Sequence, residues 1–144
     1  MPQDFQVSTK GVIRRNNTIL VLKGNSQKYH YACWDLPGGR MEPGETLSET
    51  LKREVEEELP GAHVTKIGQL FYAEANHHRV DDRELLTLFY FISIKVDRLQ
   101  LSAEHEAFLW IDQKNLSTLE QTTGTPLLTD HINALTKAFA SFDE

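Results

Sequence analysis

The stretch GRMEPGETLSETLKREVEEELPG, residues 39–61, decides the fold of this chain. Its spacing places the carboxylates of Glu54, Glu57 and Glu58 on one face of a predicted helix, within about one turn of each other. Like charges at such spacings repel, so the cluster is best explained by a divalent cation that neutralises it. Hard cations such as Mg²⁺ bind carboxylate oxygens together with substrate phosphates. Taken alone, the three glutamates also fit a solvated acidic helix face.

The residues around the cluster favour a helix that packs against a sheet. Residues 36–39 and 43–44 predict two chain reversals, so the helix begins near Thr46 or Ser48, and either hydroxyl can cap it. Apolar residues then recur at every fourth position and form a narrow stripe, namely Leu47, Leu51, Val55 and Leu59. The glutamates therefore lie beside a buried stripe, where shielding from water strengthens the effect of their charge.

This segment resembles the Nudix box, the G-x5-E-x7-R-E-(apolar)-x-E-E-x-G-(apolar) signature of the Nudix hydrolases. The matching residues are Gly39, Glu45, Arg53, Glu54, Val55, Glu57 and Glu58. Pro60 stands in place of the final glycine and Gly61 in place of the closing apolar residue, which changes the end of the helix because proline terminates it. The resemblance implies a Nudix-like α/β/α sandwich, in which helices flank a mixed sheet.

The rest of the chain predicts the same α/β class. Asn16-Asn17 suits a hairpin turn, and Pro126 opens a last amphipathic helix. Segments typical of strands cover residues 5–14, 18–22, 63–73, 85–96 and 108–111. Strands and helices in this mixed order indicate a sheet covered by helices. From the length of 144 residues we expect a single domain over residues 1–144.

The composition disfavours several classes of protein. The single cysteine, Cys33, cannot form an internal disulfide, and no basic and apolar signal follows Met1, so we expect a cytoplasmic protein. No apolar run approaches the ~20 residues that a membrane helix needs. The net charge of −6 disfavours stable nucleic-acid binding. The expected partner is a small-molecule nucleotide, and the sequence leaves a homodimer open.

The carboxylates suggest a mechanism, and the resemblance implies the same roles. Glu57 and Glu58 are the expected metal ligands, and Glu54 is a ligand or the base that deprotonates water. Arg53 orients a glutamate through an ion pair, and the backbone carbonyl of Gly39 adds an oxygen ligand. Mg²⁺ is the expected cofactor, with Mn²⁺ as the alternative.

Further candidates lie outside the box. Family members often supply one more carboxylate from another loop or strand, and Glu104 is the preferred candidate here, with Glu106 second. Lys23, Tyr72 and Arg79 are candidate substrate contacts. Each of these three also has a more ordinary explanation, as a surface lysine, a core aromatic residue and a solvated loop residue.

The substrate is predicted by elimination. No proline occurs between Pro60 and Pro126, so the proline that marks many ADP-ribose hydrolases is absent, as are the arrays of the NADH-cleaving and coenzyme A groups. What remains is a small MutT-like enzyme that cleaves a nucleoside triphosphate to a monophosphate and pyrophosphate. One alternative is a Nudix hydrolase acting on a nucleotide sugar or dinucleotide. The other is a catalytically silent nucleotide-binding module, which the complete set of box glutamates disfavours.

Overall fold

A computed structural model of the chain describes residues 4–28, 32–78 and 82–142. The elements in these ranges are β1 (Phe5–Arg15), β2 (Thr18–Gly24), β3 (Trp34–Asp35), β4 (Gly38–Arg40), α1 (Leu47–Glu58), β5 (His63–His78), β6 (Arg83–Lys95), β7 (His105–Ile111), α2 (Asn115–Thr123) and α3 (Thr129–Ser141). The predicted hairpin joins β1 to β2, and Asn16 adopts a φ of 56°, as such tight turns require. None of the helices in these ranges combines the length and apolarity needed to cross a membrane.

The seven strands of the described residues form one mixed sheet. Its path runs β3-β2-β1-β6-β5, with β4 paired to β1 and β7 paired to β2. β1 runs parallel to β6, whereas the other pairs of these strands are antiparallel. The β5 and β6 ladder shifts register three times, between Val64 and Lys66, between Ile67 and Leu70, and between Leu70 and Tyr72. The expected mixed sheet is confirmed.

Apolar side chains are buried on both sides of this sheet. On one side, the buried part of the α1 stripe packs against Ile13 and Ile92. On the other side, α3 packs against Val12 and Phe89. Val12 and Ile13 are adjacent in β1 and therefore point to opposite faces. The α/β/α arrangement follows, with α1 and α3 in the outer layers.

The prediction that Pro126 opens the last helix is wrong, since α3 begins at Thr129. Pro126 and its neighbours instead lie along β3. Trp34 N donates a hydrogen bond to the Pro126 carbonyl, and Leu128 N donates one to the Trp34 carbonyl, each 2.8 Å long. These bonds keep the chain extended until the helix starts. Helix α2, in which Leu119 is the one buried residue, is not predicted from the sequence.

A side chain at Gly38 is expected to destabilise the fold strongly. Its φ is 139°, and a Cβ there would overlap the carbonyl oxygen of Thr9 in β1. Gly44 is the matched control, because its φ of 87° is also positive but a Cβ there would meet no atom within 4 Å. We expect Gly38→Ala to lower the free energy of unfolding by several kcal/mol and Gly44→Ala by about 1 kcal/mol, as measured by urea unfolding. Equal losses in the two variants would contradict the packing argument.

Candidate active site

A capping box determines where α1 begins. The Thr46 hydroxyl accepts a hydrogen bond from Glu49 N, and the Glu49 carboxylate accepts one from Thr46 N, each 3.1 Å long. These bonds satisfy N–H groups that the first helical turn leaves without partners. Of the two predicted caps, the structure uses Thr46, and Ser48 lies inside the helix.

Arg53 links the loop before α1 to the middle of the helix. Its Nε donates to Oε2 of Glu45 at 2.7 Å, and its Nη2 donates to Oε1 of the same carboxylate at 2.9 Å. Its Nη1 donates to Oε1 of Glu54 at 2.9 Å, and Nη2 also donates to the Arg40 carbonyl at 3.1 Å. The hydrogen bonds from Arg53 hold the pKa of the Glu45 carboxyl at about 2. Arg53 thus lies where it can orient Glu54 through an ion pair.

Glu54 lies against the backbone of β4. A Cβ on Gly39 would overlap the Glu54 carboxylate, so this close approach depends on the lack of a side chain at position 39. The Glu54 side chain is 19% exposed, and one of its oxygens accepts the hydrogen bond from Arg53. The predicted ligand or base, Glu54, and the predicted carbonyl ligand, Gly39, are therefore neighbours.

Glu58 is the buried member of the glutamate cluster. Its Oε1 accepts a 2.7 Å hydrogen bond from Gly38 N, and its Oε2 lies 3.4 Å from Nε2 of His105. Burial raises the pKa of Glu58 to about 7, and repulsion from Asp35 adds to this effect against the attraction of Lys10 and His105. An adjacent cation would favour the ionised form of this carboxyl.

The three glutamates offer hard oxygen ligands and differ in how far their side chains are exposed to solvent. The Glu57 side chain is 62% exposed, compared with 19% for Glu54 and 6% for Glu58. In the described residues no group of three or more His, Cys, Asp or Glu side chains is arranged to hold a metal ion. One oxygen of Glu54 is instead bound by Arg53. The chemistry of the donors fits Mg²⁺, because they are carboxylates and the Gly39 carbonyl, and the open side can admit phosphates.

A cleft of about 800 Å³ opens beside Gly39 on the face of β1 and β6. Lys10 of β1 and Thr87 of β6 contribute to its wall. Asp130, at the start of α3, lines it and is buried, and its Oδ2 accepts a 3.1 Å hydrogen bond from Nδ2 of Asn76. A larger depression of about 1130 Å³ lies at the carboxyl ends of β1 and β6 and is lined by no residue of the 39–61 stretch. Of these two cavities, the cleft beside Gly39 adjoins the glutamates, because Glu54 lies against Gly39.

Two of the predicted substrate contacts are not among the described residues that line this cleft. Lys23 lies in β2, with Nζ 3.9 Å from Oε1 of Glu106. The Tyr72 hydroxyl donates to Oε1 of Glu74 at 2.8 Å, and its ring packs against the core beneath α3. The third candidate, Arg79, lies outside the described residues.

Glu104 and Glu106, the predicted carboxylates outside the box, flank a buried histidine in the chain. Glu104 is exposed and directly precedes His105 in the chain. Glu106 is also exposed and accepts a 2.8 Å hydrogen bond from Ser26 N. Between them, His105 is buried and contacts Glu58. The segment that supplies the predicted outer carboxylate therefore passes next to the glutamate cluster.

Three residues of this site are not predicted from the sequence: Lys10, Asp35 and His105. Lys10 Nζ lies 3.6 Å from Oδ2 of Asp35, and Asp35 Oδ1 lies 3.7 Å from Nε2 of His105. A polar residue at an inward-facing position of a strand is the sequence signal that could have identified such residues, because inward and outward positions alternate along β1 and β7.

The chain is similar to known proteins in both sequence and structure. The nucleoside triphosphatase NudI of Enterobacter sp. (strain 638) is 29% identical, over 81% of this chain and 88% of its own length. The ADP-ribose pyrophosphatase of Methanocaldococcus jannaschii is 26% identical, over 78% of this chain and 65% of its own length. The crystal structure of a MutT NUDIX hydrolase from Burkholderia pseudomallei has the same fold, with a TM-score of 0.75 at 23% identity over 93% of this chain and 98% of that one.

The family model described as NUDIX domain matches residues 4–130, and the chain belongs to this family. It is a Nudix hydrolase, an enzyme of the class that hydrolyses phosphoanhydrides in nucleotide derivatives. The predicted family, fold and enzyme class are thereby confirmed.

Arg53→Lys tests the paired hydrogen bonds to Glu45. Lysine keeps the charge but lacks the planar set of N–H groups, so we expect kcat to fall by about tenfold or more with little change in KM. Lys52→Gln is the control, because its 2.6 Å ion pair with Glu56 lies on an exposed part of the same helix and should contribute little. Steady-state assays of phosphoanhydride hydrolysis measure both constants. A strong rise in KM at unchanged kcat would make Arg53 a substrate contact instead.

Glu58→Gln is expected to stabilise the metal-free protein at neutral and alkaline pH. The pKa of Glu58 is about 7 in the folded protein and ordinarily 4.5, so folding favours its protonated form. The stability that this carboxyl contributes below pH 4.5 is therefore lost as the pH rises through 7. The amide does not ionise, and the variant should exceed the wild type by up to roughly 3 kcal/mol above pH 7 and by nothing near pH 4.

Urea unfolding in EDTA across this pH range measures the difference. Glu57→Gln is the control, because that side chain is 62% exposed, and its effect should stay within about 0.5 kcal/mol at every pH. A difference between Glu58→Gln and the wild type that does not change with pH would contradict the burial argument.

Proposed function

We propose that this enzyme hydrolyses a nucleoside triphosphate to a nucleoside monophosphate and pyrophosphate. The observation that carries the proposal is the contact between Glu54 and Gly39, because Gly39 also lines the cleft. A nucleotide whose phosphates bind at the glutamates would place its nucleoside in that cleft.

The glutamates would hold Mg²⁺, with Mn²⁺ as the alternative. The proposed ligands are the carboxylates of Glu54, Glu57 and Glu58 and the carbonyl of Gly39, and Glu104 is the proposed ligand from outside the box. A bound cation supplies compensation of the phosphate charge and lowers the pKa of a water molecule. The exposed position of Glu57 leaves the cluster accessible to substrate.

Arg53 orients Glu54 for this reaction. Its Nη1 binds Oε1 of Glu54, whereas no described residue donates a hydrogen bond to Oε2 of the same carboxylate. Oε2 can therefore serve as a ligand or accept the proton of the attacking water, the two roles considered for this residue. The bidentate contact of Arg53 with Glu45 keeps the guanidinium in place.

The cleft can discriminate among nucleosides through Asp130 and Asn76. Oδ1 of Asp130 lies 2.8 Å from Nδ1 of His131, and Oδ2 accepts the hydrogen bond from Asn76. A carboxylate oxygen accepts more than one hydrogen bond, so Asp130 can also accept an N–H from a base. Polar contacts of this kind select bases more strongly than aromatic stacking does.

The relatives support the same choice of substrate class. The Enterobacter relative, which matches most of both chains, is named a nucleoside triphosphatase. The relative from Methanocaldococcus jannaschii is named an ADP-ribose pyrophosphatase, which makes a diphosphate joined to a second sugar the second candidate. A cleft of about 800 Å³ can accommodate either kind of ligand.

We also propose a cytoplasmic protein that acts on small nucleotides and does not bind nucleic acid stably. The single cysteine supports the cytoplasmic location. The net charge of −6 disfavours stable nucleic-acid binding.

Product analysis in ¹⁸O-labelled water tests the proposed reaction. We expect nucleoside triphosphates to yield a monophosphate and pyrophosphate, with the label in one of these two products, because the water attacks an internal phosphorus. Glu57→Gln is the control for the site, since it removes an exposed charge and should lower turnover by several orders of magnitude without loss of folding.

Two results would refute the triphosphate assignment. One is release of orthophosphate alone from triphosphates. The other is the absence of reaction with triphosphates alongside rapid cleavage of ADP-ribose or a nucleotide sugar, which would favour the second candidate. In either case, loss of the activity in Glu57→Gln would still locate the reaction at the glutamates.

A further inference from the structure

Behind Glu58 lies a row of charged side chains that the reaction described above does not use. Lys10 Nζ is 3.6 Å from Oδ2 of Asp35, and Oδ1 of Asp35 is 3.7 Å from Nε2 of His105. The same Nε2 is 3.4 Å from Oε2 of Glu58. The row therefore runs from the wall of the cleft, which Lys10 and Asp35 line, to the buried glutamate.

This row is largely shielded from solvent. The side chains of Lys10 and His105 are 12% and 6% exposed, and that of Asp35 is 25% exposed. Charged groups lose hydration on burial, and buried ion pairs often contribute no more stability than apolar residues of the same size. Stability is therefore a weak explanation for placing charged groups here.

The ends of the row are held by backbone groups of one turn. Lys10 Nζ donates a 3.1 Å hydrogen bond to the Leu36 carbonyl, and Gly38 N donates a 2.7 Å hydrogen bond to Oε1 of Glu58. Both backbone groups belong to the segment that enters β4. The charged side chains thus have fixed reference points at each end.

The backbone before His105 is held against Glu58 as well. Ser102 N donates to the Glu58 carbonyl at 3.1 Å, and His105 N donates to the Ser102 carbonyl at 3.2 Å. These two hydrogen bonds place the start of β7 beside the last turn of α1. The imidazole is consequently presented to one particular carboxylate.

The ring nitrogens of His105 have different surroundings. Nε2 lies 3.4 Å from the Glu58 carboxyl and 3.7 Å from the Asp35 carboxylate, so it is the ring nitrogen placed to direct a hydrogen atom toward them. Nδ1 is buried and has no hydrogen-bond partner in the described residues. The contacts of the ring are therefore directed through Nε2, toward Glu58 and Asp35.

We propose that His105 is a positioning residue that holds Oε2 of Glu58 and so sets the orientation of this carboxylate toward the divalent cation. Gly38 N holds the other oxygen, and the Asp35 carboxylate, which is paired with Lys10 and makes no hydrogen bond through Oδ1 in the described residues, attracts the imidazole electrostatically at 3.7 Å. The proposal rests on the proposed function in one respect, namely that Glu58 is a metal ligand. Groups behind a metal ligand that fix its orientation commonly change metal affinity by roughly 10–100-fold when they are replaced.

The test measures Mn²⁺ binding in the absence of nucleotide, using the electron paramagnetic resonance signal of the free ion. It therefore does not depend on turnover. His105→Asn and His105→Gln form a matched pair. The side-chain amide nitrogen of glutamine reaches the position of Nε2, whereas that of asparagine reaches only as far as Nδ1. We expect Asn to weaken Mn²⁺ binding by roughly tenfold or more and Gln to recover most of the affinity.

Urea unfolding of both variants provides the comparison for a purely structural role. If His105 only fills space, both variants should lose stability while their Mn²⁺ affinity stays at the wild-type level, and that result would overturn the proposal. Equal weakening of Mn²⁺ binding by Asn and Gln would also overturn it, because the donor at Nε2 would then be irrelevant.

Two further variants keep the test decisive. If His105→Asn does not fold, Lys10→Met takes its place, because it removes the cation that holds Asp35 and keeps most of the apolar stem. We expect this variant to weaken Mn²⁺ binding by about threefold or more, and unchanged affinity would overturn the proposal.

Glu58→Gln separates this proposal from the proposed function. Unchanged Mn²⁺ affinity in Glu58→Gln would refute the metal role of Glu58 and the positioning role with it. Weakened binding in Glu58→Gln together with unchanged binding in His105→Asn would refute the positioning role alone.

Discussion

Gly38 and Gly39, at the start of β4, lie against β1 on one side and against α1 on the other. A methyl group on Gly38 would overlap the Thr9 carbonyl, and one on Gly39 would overlap the Glu54 carboxylate. The distance between α1 and β1 is therefore set by backbone atoms at this turn. Gly38 N also binds Glu58, so the same contact that seats the helix fixes one of its carboxylates. The position of the whole glutamate cluster relative to the cleft follows from this arrangement.

The acidic residues of this site are held in three different ways. Glu45 and Glu54 are bound by Arg53, Glu58 is buried against backbone and His105, and Glu57 extends into solvent. The metal-free site consequently combines one satisfied ion-pair network with one carboxyl group whose ionisation is opposed by burial. A cation at the open side would add to the attraction that Lys10 and His105 already exert on the buried carboxylate, and would favour its ionised form. This division of roles is invisible in a count of negative charges.

The helix and its approach could be predicted because their signals are local. Thr46 and Glu49 are close in sequence, and the apolar stripe repeats within a single element. The start of α3 could not be predicted, because Pro126 is kept extended by hydrogen bonding to Trp34 in a distant part of the chain. α2 has little periodic pattern, since Leu119 is its one buried residue.

The missing members of the site were hidden for the same reason. Lys10, Asp35 and His105 come from three separate strands and meet only when the sheet forms. The signature motif lies within one continuous segment and contains none of them. A charged residue at an inward strand position could have drawn attention to each, but its partner could not be named without the register of the sheet.

The irregular pairing of β5 makes this edge of the sheet a poor template for strand addition. β5 is 16 residues long and ends the path of the described sheet, a position where unpaired backbone groups can recruit a strand from another molecule. The three register shifts against β6 break this edge into short pieces and increase its twist. A second chain therefore finds no long flat ladder to extend. This geometry opposes strand addition at the β5 edge of the sheet.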